Sequence, residues 1–272
     1  MLNRTVISIL GFFLVCFNVY ADTTISVDVG KDEQENTNSM LSVDTGLNKS
    51  KRLFFGAGNS KGPSGSQTVE NKIAFIGMSK KMNDDWKLKG MLEYSGLRDA
   101  FTMYSTSFAT KYSQENYYIE FVPAIRRISL TTLSKRKINI SSSALGFKTG
   151  LFLGDHFRLS GSAYSYNYSK DVSALASFAS TRYFNVKTLL LSSGLLKNSY
   201  NTEAGLDFDS FSFSVGKNRS VSAIDYSKSD YVYSVVDYYI SDAWSLSLLY
   251  GEYANTPEDQ NNFSSLTVNY TF

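Results

Sequence analysis

The chain has 272 residues, with 27 Lys and Arg against 25 Asp and Glu and a formal net charge of +2. Charges this balanced, and scattered along the chain, exclude the clustered basic surface that a nucleic-acid partner requires. Cys16 is the sole cysteine, which excludes disulfides and thiolate metal sites.

The chain opens on Met1-Leu2-Asn3-Arg4, a short positive region, followed by an apolar run from Val6 to Phe17 and the small-residue site Val19-Tyr20-Ala21. This pattern predicts a signal peptide over residues 1–21, cleaved before Asp22. The run is shorter than the roughly 18 apolar residues a spanning helix needs. Cys16 falls inside it, flanked by Leu14-Val15 and bulky Phe17, which fits a lipoprotein signal poorly.

From residue 22 onward the dominant pattern has period 2, the signature of strands. Ile25, Val27 and Val29 alternate with Ser26 and Asp28, and Leu41, Val43 and Leu47 with Ser42 and Asp44. Trp86, Leu88, Leu92 and Tyr94 share one face of a strand whose other face carries Lys87, Lys89 and Glu93. The stretch from Gly96 to Lys137 alternates poorly, and Pro123 is expected to mark a turn. Beyond it, Leu145, Phe147, Leu151 and Leu153 oppose Lys148, and Trp244, Leu246, Leu248 and Tyr250 oppose Ser245 and Ser247. No helical domain is predicted. A mean hydropathy of −0.19 is compatible with a membrane strand, which needs apolar side chains at alternate positions only. Aromatic residues form 15% of the chain, Tyr 19 and Phe 19 against Pro 3, a bias that fits interfacial girdles on strands.

Residues 22–272 are therefore expected to form a single domain, an all-β, antiparallel up-and-down transmembrane β-barrel. A soluble β-sandwich would also alternate, but it does not explain strands whose apolar face begins or ends in Trp or Tyr. Termini on one side require an even strand number, expected to be about 14 within a range of about 12–16. Asn83-Asp84-Asp85, Gly154-Asp155-His156 and Ser241-Asp242 suit short turns, and Gly30 to Thr37, Asn59 to Gln67 and Asn255 to Asn262 suit longer outer loops. A compact barrel without a plug domain or a long lid, and without a loop beyond about a dozen residues, is expected.

The carboxyl end, Leu266-Thr267-Val268-Asn269-Tyr270-Thr271-Phe272, resembles the terminal strand signature of bacterial outer-membrane barrels. Upstream, Asn201 to Gly216, Tyr231 to Ser241 and Asp242 to Tyr250 resemble the closing hairpins of the general, Gram-negative porin superfamily. The resemblance implies residence in the outer membrane of a Gram-negative bacterium. It also implies the lipid and lipopolysaccharide of that membrane as surroundings, assembly by the barrel-assembly machinery through Val268, Tyr270 and Phe272, and small hydrophilic solutes as cargo. The chain departs from general porins in length and in offering no match to their acidic constriction loop.

The chemistry in the sequence is sparse. There is no glycine-rich phosphate loop and no metal-ligand cluster, so neither a cofactor nor a metal is expected. His156 is the sole histidine, in an expected turn without an adjacent serine, which argues against the histidine-activated serine of outer-membrane lipid-modifying enzymes. By parity, Asp28, Asp44, Lys87, Lys89, Glu93, Arg127, Lys148, Arg158, Lys187 and Asp237 are expected to face the lumen. Those charges either line a water-filled channel and bias its selectivity, or pair across strands and brace a filled, non-conducting barrel. The leading expectation is a passive, non-enzymatic channel.

Overall fold

A strand that is apolar on one face and polar on the other can cross a lipid bilayer only if every backbone N–H and C=O is paired within a sheet that has no edge. The computed structural model describes residues 22–64, 67–97, 101–131, 137–173, 195–254 and 260–272. The expected signal peptide lies outside these described residues. Fourteen antiparallel strands follow one another in sequence order. They are β1 (Thr23–Asp32), β2 (Thr37–Asn48), β3 (Lys51–Ser64), β4 (Gln67–Lys81), β5 (Trp86–Leu97), β6 (Phe101–Ser113) and β7 (Tyr117–Thr131), then β8 (Lys137–Leu153), β9 (Phe157–Tyr168), β10 (Leu196–Asp207), β11 (Phe211–Ser222), β12 (Lys228–Tyr239), β13 (Trp244–Ala254) and β14 (Gln260–Thr271). β14 pairs back onto β1, from Thr24↔Thr271 to Asp32↔Phe263, and closes the barrel.

Exposure separates the two faces of this closed sheet. Val27, Ile76, Leu92, Phe108, Phe121, Phe147, Phe213, Leu248 and Leu266 are exposed, and register places them beside one another, as in Ile76↔Leu92 and Phe121↔Phe147. They form an apolar belt around the outside. At the end of the barrel that carries both termini, the belt is bordered by ring pairs: Trp86–Tyr112 at 5.0 Å, Phe208–Phe211 at 4.8 Å and Trp244–Tyr270 at 4.5 Å. Aromatic rings gather in this way where an apolar slab meets water.

Connections at this terminal end are short. In two of them an asparagine carbonyl accepts consecutive backbone N–H groups: Asn48 Oδ1 from Ser50 and Lys51, and Asn83 Oδ1 from Asp85 and Trp86. Asp84 is held below the usual carboxylate range by its hydrogen bond and ion pair with Lys81. Of the stretches expected as longer loops, Gly30 to Thr37 is strand except at residues 33–36, and Asn59 to Gln67 is strand at all its described residues. Backbone ladders continue past the apolar belt because they need no apolar side chains. Residues 169–195 separate β9 from β10, and 174–194 among them lie outside the described residues.

Pro123 does not mark a turn. It sits within β7 and pairs with Leu145 of β8, while the ladder to β6 is interrupted between Ser107↔Ala124 and Thr110↔Phe121. A proline has no N–H to donate on that side.

The buried core lies inside the barrel, at the end opposite the termini. Leu97, Phe101, Met103, Ile128 and Ile140 point inward from β5, β6, β7 and β8. They pack with Val172 and Leu195, from the two described ends of the 169–195 connection, and with Ala223 and Ile224 from the β11–β12 connection. Phe101 is 2% exposed and Leu195 2%. The mouth opposite the termini thus holds a small apolar plug of side chains against the β5–β8 wall.

Candidate functional site: the barrel lumen

The inward-facing parity delivers eight of the ten charged side chains expected there to one interior. Asp28 accepts hydrogen bonds from Asn38 Nδ2 at 2.8 Å and Thr267 Oγ1 at 2.9 Å. Asp44 accepts from Arg52 Nε at 2.8 Å, and the same guanidinium also reaches Asp22. Lys87 and Lys89 enter from β5, where Lys87 pairs in register with Lys81 and Lys111, and Lys89 Nζ lies 4.4 Å from the Phe54 ring centroid. Glu93 shares their face, opposite Phe75 and Ser105. Lys148 Nζ is 3.8 Å from Glu120, Arg158 contacts Glu203 at 3.5 Å and Asp207 at 3.8 Å, and Asp237 accepts from Ser212 Oγ at 2.9 Å.

One of the expected lumen residues, Arg127, falls elsewhere, and Lys187 lies outside the described residues. Arg127 faces outward, in register with the exposed Tyr104 and two residues from Ile125, which is 66% exposed. Its neighbour Arg126 takes the inward position, its guanidinium 4.3 Å from the Tyr166 ring centroid. The correction has a physical cause. The sequence rule places apolar residues outside, but at this end of the barrel the apolar residues Ile128 and Leu130 belong to the plug, so the alternation is inverted. Lys111, Glu120, Arg126 and Glu203 are lumen groups that the sequence reading missed for the same reason or because their strands alternate weakly.

The charges are segregated around the ring. Strands β5 to β9 carry Lys87, Lys89, Lys111, Arg126, Lys148 and Arg158 against Glu93 and Glu120. The wall from β10 round to β2 carries Glu203, Asp207, Asp237, Asp28 and Asp44. With fourteen strands in order, β1 lies across the lumen from β8, so a largely basic wall faces a largely acidic one.

Space in the lumen is governed by a second pattern. Inward-facing rings lie over inward-facing glycines of the neighbouring strand: Phe75 over Gly56, Phe54 over Gly77, Tyr118 over Gly150, Tyr164 over Gly146, Tyr233 over Gly216 and Phe263 over Gly251. A Cβ at Gly56 would stand 2.7 Å from the Phe75 ring, and at Gly146 2.2 Å from that of Tyr164. Each ring can therefore lie along the wall instead of projecting across the lumen. Between the rings the wall is small and polar, with Ser107, Ser162, Ser247 and Ser265 facing inward and retaining partial exposure inside the closed barrel.

The assembly residues occupy the seam. Val268 pairs with Val27 and Tyr270 with Ile25, on the outward face of β14 and β1, and Phe272 N–H donates to Thr23 O at 2.9 Å. His156 Nδ1 lies 2.7 Å from the Asp207 carbonyl oxygen, and its ring stacks on Phe208 at 5.1 Å. Among the described residues no group of three or more His, Cys, Asp and Glu is arranged to hold a metal ion.

No family model and no curated protein matches the chain. Its fold is shared with solved outer-membrane barrels. A structure described as the CymD monoaromatic hydrocarbon channel superposes with a TM-score of 0.57 at 10% identity, over 95% of this chain and 90% of that one. One described as a bacterial polysaccharide outer membrane secretin gives 0.56 at 11% identity, over 94% and 99%. The NanC porin gives 0.50 at 8% identity, over 91% and 100%. The chain has a porin-like outer-membrane barrel fold.

Proposed function

We propose that this chain is a porin-like channel of the bacterial outer membrane that passes small hydrophilic solutes down their gradients, with its termini and short turns on the periplasmic side. The observation that carries the reading is the lumen wall, where flat rings over glycines and small serines leave accessible interior surface. The opposed basic and acidic walls supply fixed charge along the path. The fold shared with channels supports the reading. In it no residue is catalytic, and selectivity resides in the lumen charges.

The test is single-channel recording of the purified protein in planar bilayers. Discrete conductance steps are expected, and Lys89→Glu, placed among Lys87, Lys111 and Lys148, is expected to keep the barrel folded while shifting ion preference toward cations. Unchanged selectivity in a folded Lys89→Glu barrel would remove that residue from the path. The apolar plug around Phe101 favours a second reading, a filled barrel with a structural or surface-binding role. Absence of steps in the parent protein would establish that alternative.

Assembly by the barrel-assembly machinery, within membrane lipid and lipopolysaccharide, belongs to the same proposal. It is supported by the outward row Val268, Tyr270 and Phe272 on the closing strand, where Tyr270 and Phe272 stack edge to face at 4.7 Å. Deleting Phe272 is expected to lower the yield of folded, heat-modifiable barrel in outer-membrane fractions. Normal yield would show that this terminal row does not act as an assembly signal.

A further inference from the structure

We propose that the outward face of β12, β13, β14 and β1 carries a groove for one zwitterionic phospholipid with a primary amine. The inference rests on the barrel standing in a membrane and does not require its lumen to conduct. Register sets two rows of outward side chains next to each other across these four strands. The row nearer the termini is Val236, Leu248, Leu266 and Val29; the next one is Ser234, Tyr250, Ser264 and Lys31. In that second row the Tyr250 ring stands between two serines, so the outer surface is indented on either side of a tall side chain. A groove of about 550 Å³ lies over both rows. Its first row is continuous with the apolar belt, with Leu248 58% exposed and Val29 48%. An acyl chain can lie there without displacing a hydrogen bond. Its headgroup then meets the Ser264 and Tyr250 hydroxyls and the Lys31 ammonium, while Ser234 Oγ is turned to the Tyr250 carbonyl oxygen at 3.5 Å.

Charge selects the headgroup. One step further from the termini, Glu252 faces outward in register with Val232 and Asn262. The carboxylate of Glu33, at the same level, is taken up by Asn262 Nδ2 at 2.9 Å. Lys31 and Glu252, in contrast, have no ion pair among the described residues. They stand two strands and one step apart, about 12 Å between Cα atoms, so both long side chains can converge on one headgroup. A phosphate beside Lys31 and an ammonium beside Glu252 gain charge-assisted hydrogen bonds of both signs. An anionic lipid, whether phosphatidylglycerol or the phosphates of lipid A, satisfies Lys31 but brings like charge to Glu252. A choline headgroup brings the right charge to Glu252 with no N–H to donate. The primary amine is the class that uses both residues.

The test folds the full-length mature protein into vesicles of phosphatidylethanolamine, phosphatidylcholine and phosphatidylglycerol in equal parts, extracts it in mild detergent and weighs the retained lipid by native mass spectrometry. Preferential retention of one phosphatidylethanolamine per barrel is expected. Lys31→Ala and Glu252→Gln are each expected to weaken it about tenfold, the scale of a lost hydrogen bond to a charged group. Glu252→Gln is also expected to turn the preference toward phosphatidylglycerol, since Lys31 remains. Ser264→Leu keeps both charges, fills the groove and is expected to abolish retention, whereas Lys72→Ala, on the outward face of β4, is expected to change nothing. Each variant's folding is checked by heat-modifiable gel migration. Equal retention of the three lipids, or undiminished retention in folded Ser264→Leu, overturns the site. Preference of the parent protein for phosphatidylglycerol, or for lipid A in vesicles that contain it, overturns the zwitterion assignment. Dimers recovered without lipid would give the groove to a second copy of the chain and overturn the lipid site. A barrel that folds into vesicles and retains no lipid overturns the site alone; a chain that does not enter vesicles overturns the membrane placement as well.

Discussion

Replacing Phe101 by alanine is expected to destabilise the barrel by about 3–5 kcal/mol, the range for truncating a large ring in a packed core. The comparison residue is Phe108, seven positions along the same strand, where the same substitution is expected to cost far less. Phe101 points into the lumen and is 2% exposed, whereas Phe108 points out of the barrel and is 48% exposed. Apolar burial is driven by exclusion of water. A ring facing hydrocarbon exchanges one apolar neighbour for another when it is truncated, because lipid tails are as apolar as leucine. A ring in the mouth of an aqueous lumen has no such substitute, and its removal leaves a cavity among Leu97, Met103, Ile128 and Ile140. The same change frees the contacts that hold Val172, Leu195 and Ile224 inside the mouth, so larger current steps are expected together with lower stability. Urea unfolding in vesicles, followed by loss of the heat-modifiable band, measures the first effect. If Phe101→Ala and Phe108→Ala unfold at the same urea concentration, the plug contributes nothing to stability.

The plug also explains which parts of the molecule were legible in the sequence. Alternation exposed the barrel, its strand number and the inward set on β5, since Lys87, Lys89 and Glu93 lie opposite Trp86, Leu88 and Leu92 wherever the lumen is wet. The rule that apolar means outward fails where the lumen is itself apolar, which is why Arg126 and Arg127 exchange places and why the strand from Phe101 to Ser113 resisted a register. Pro123 is legible as a break in one ladder but not as a residue within a strand paired on its other side. The rings over glycines were hidden for a different reason. Phe75 and Gly56, or Phe263 and Gly251, become partners only once the register is fixed, and neither residue of such a pair carries a local signal.

The sharpest consequence of this two-faced wall is a pair of adjacent substitutions on β5. Leu92→Lys is expected to destabilise the membrane-inserted barrel by about 2–4 kcal/mol, and Met91→Lys is expected to fold normally. Leu92 is 55% exposed on the outer face, in register with Ile76 and Thr106, within the apolar belt. A lysine there must hold its ammonium in hydrocarbon or bend its stem toward a distant interface, and the cost is greatest near the middle of the bilayer. Met91 is one residue away but points inward, in register with Gly77 and Ser107 and two positions from Lys89. A lysine there joins a wall already lined by Lys89 and Lys148 and remains in contact with lumen water. The two variants add the same charge at nearly the same depth, so net charge and backbone propensity cancel between them. Folding yield into vesicles and the urea midpoint are the measurements. Equal destabilisation of both variants would mean that the lumen beside Met91 is dry. Destabilisation of Met91→Lys alone would mean that the inside and outside of β5 have been assigned in reverse.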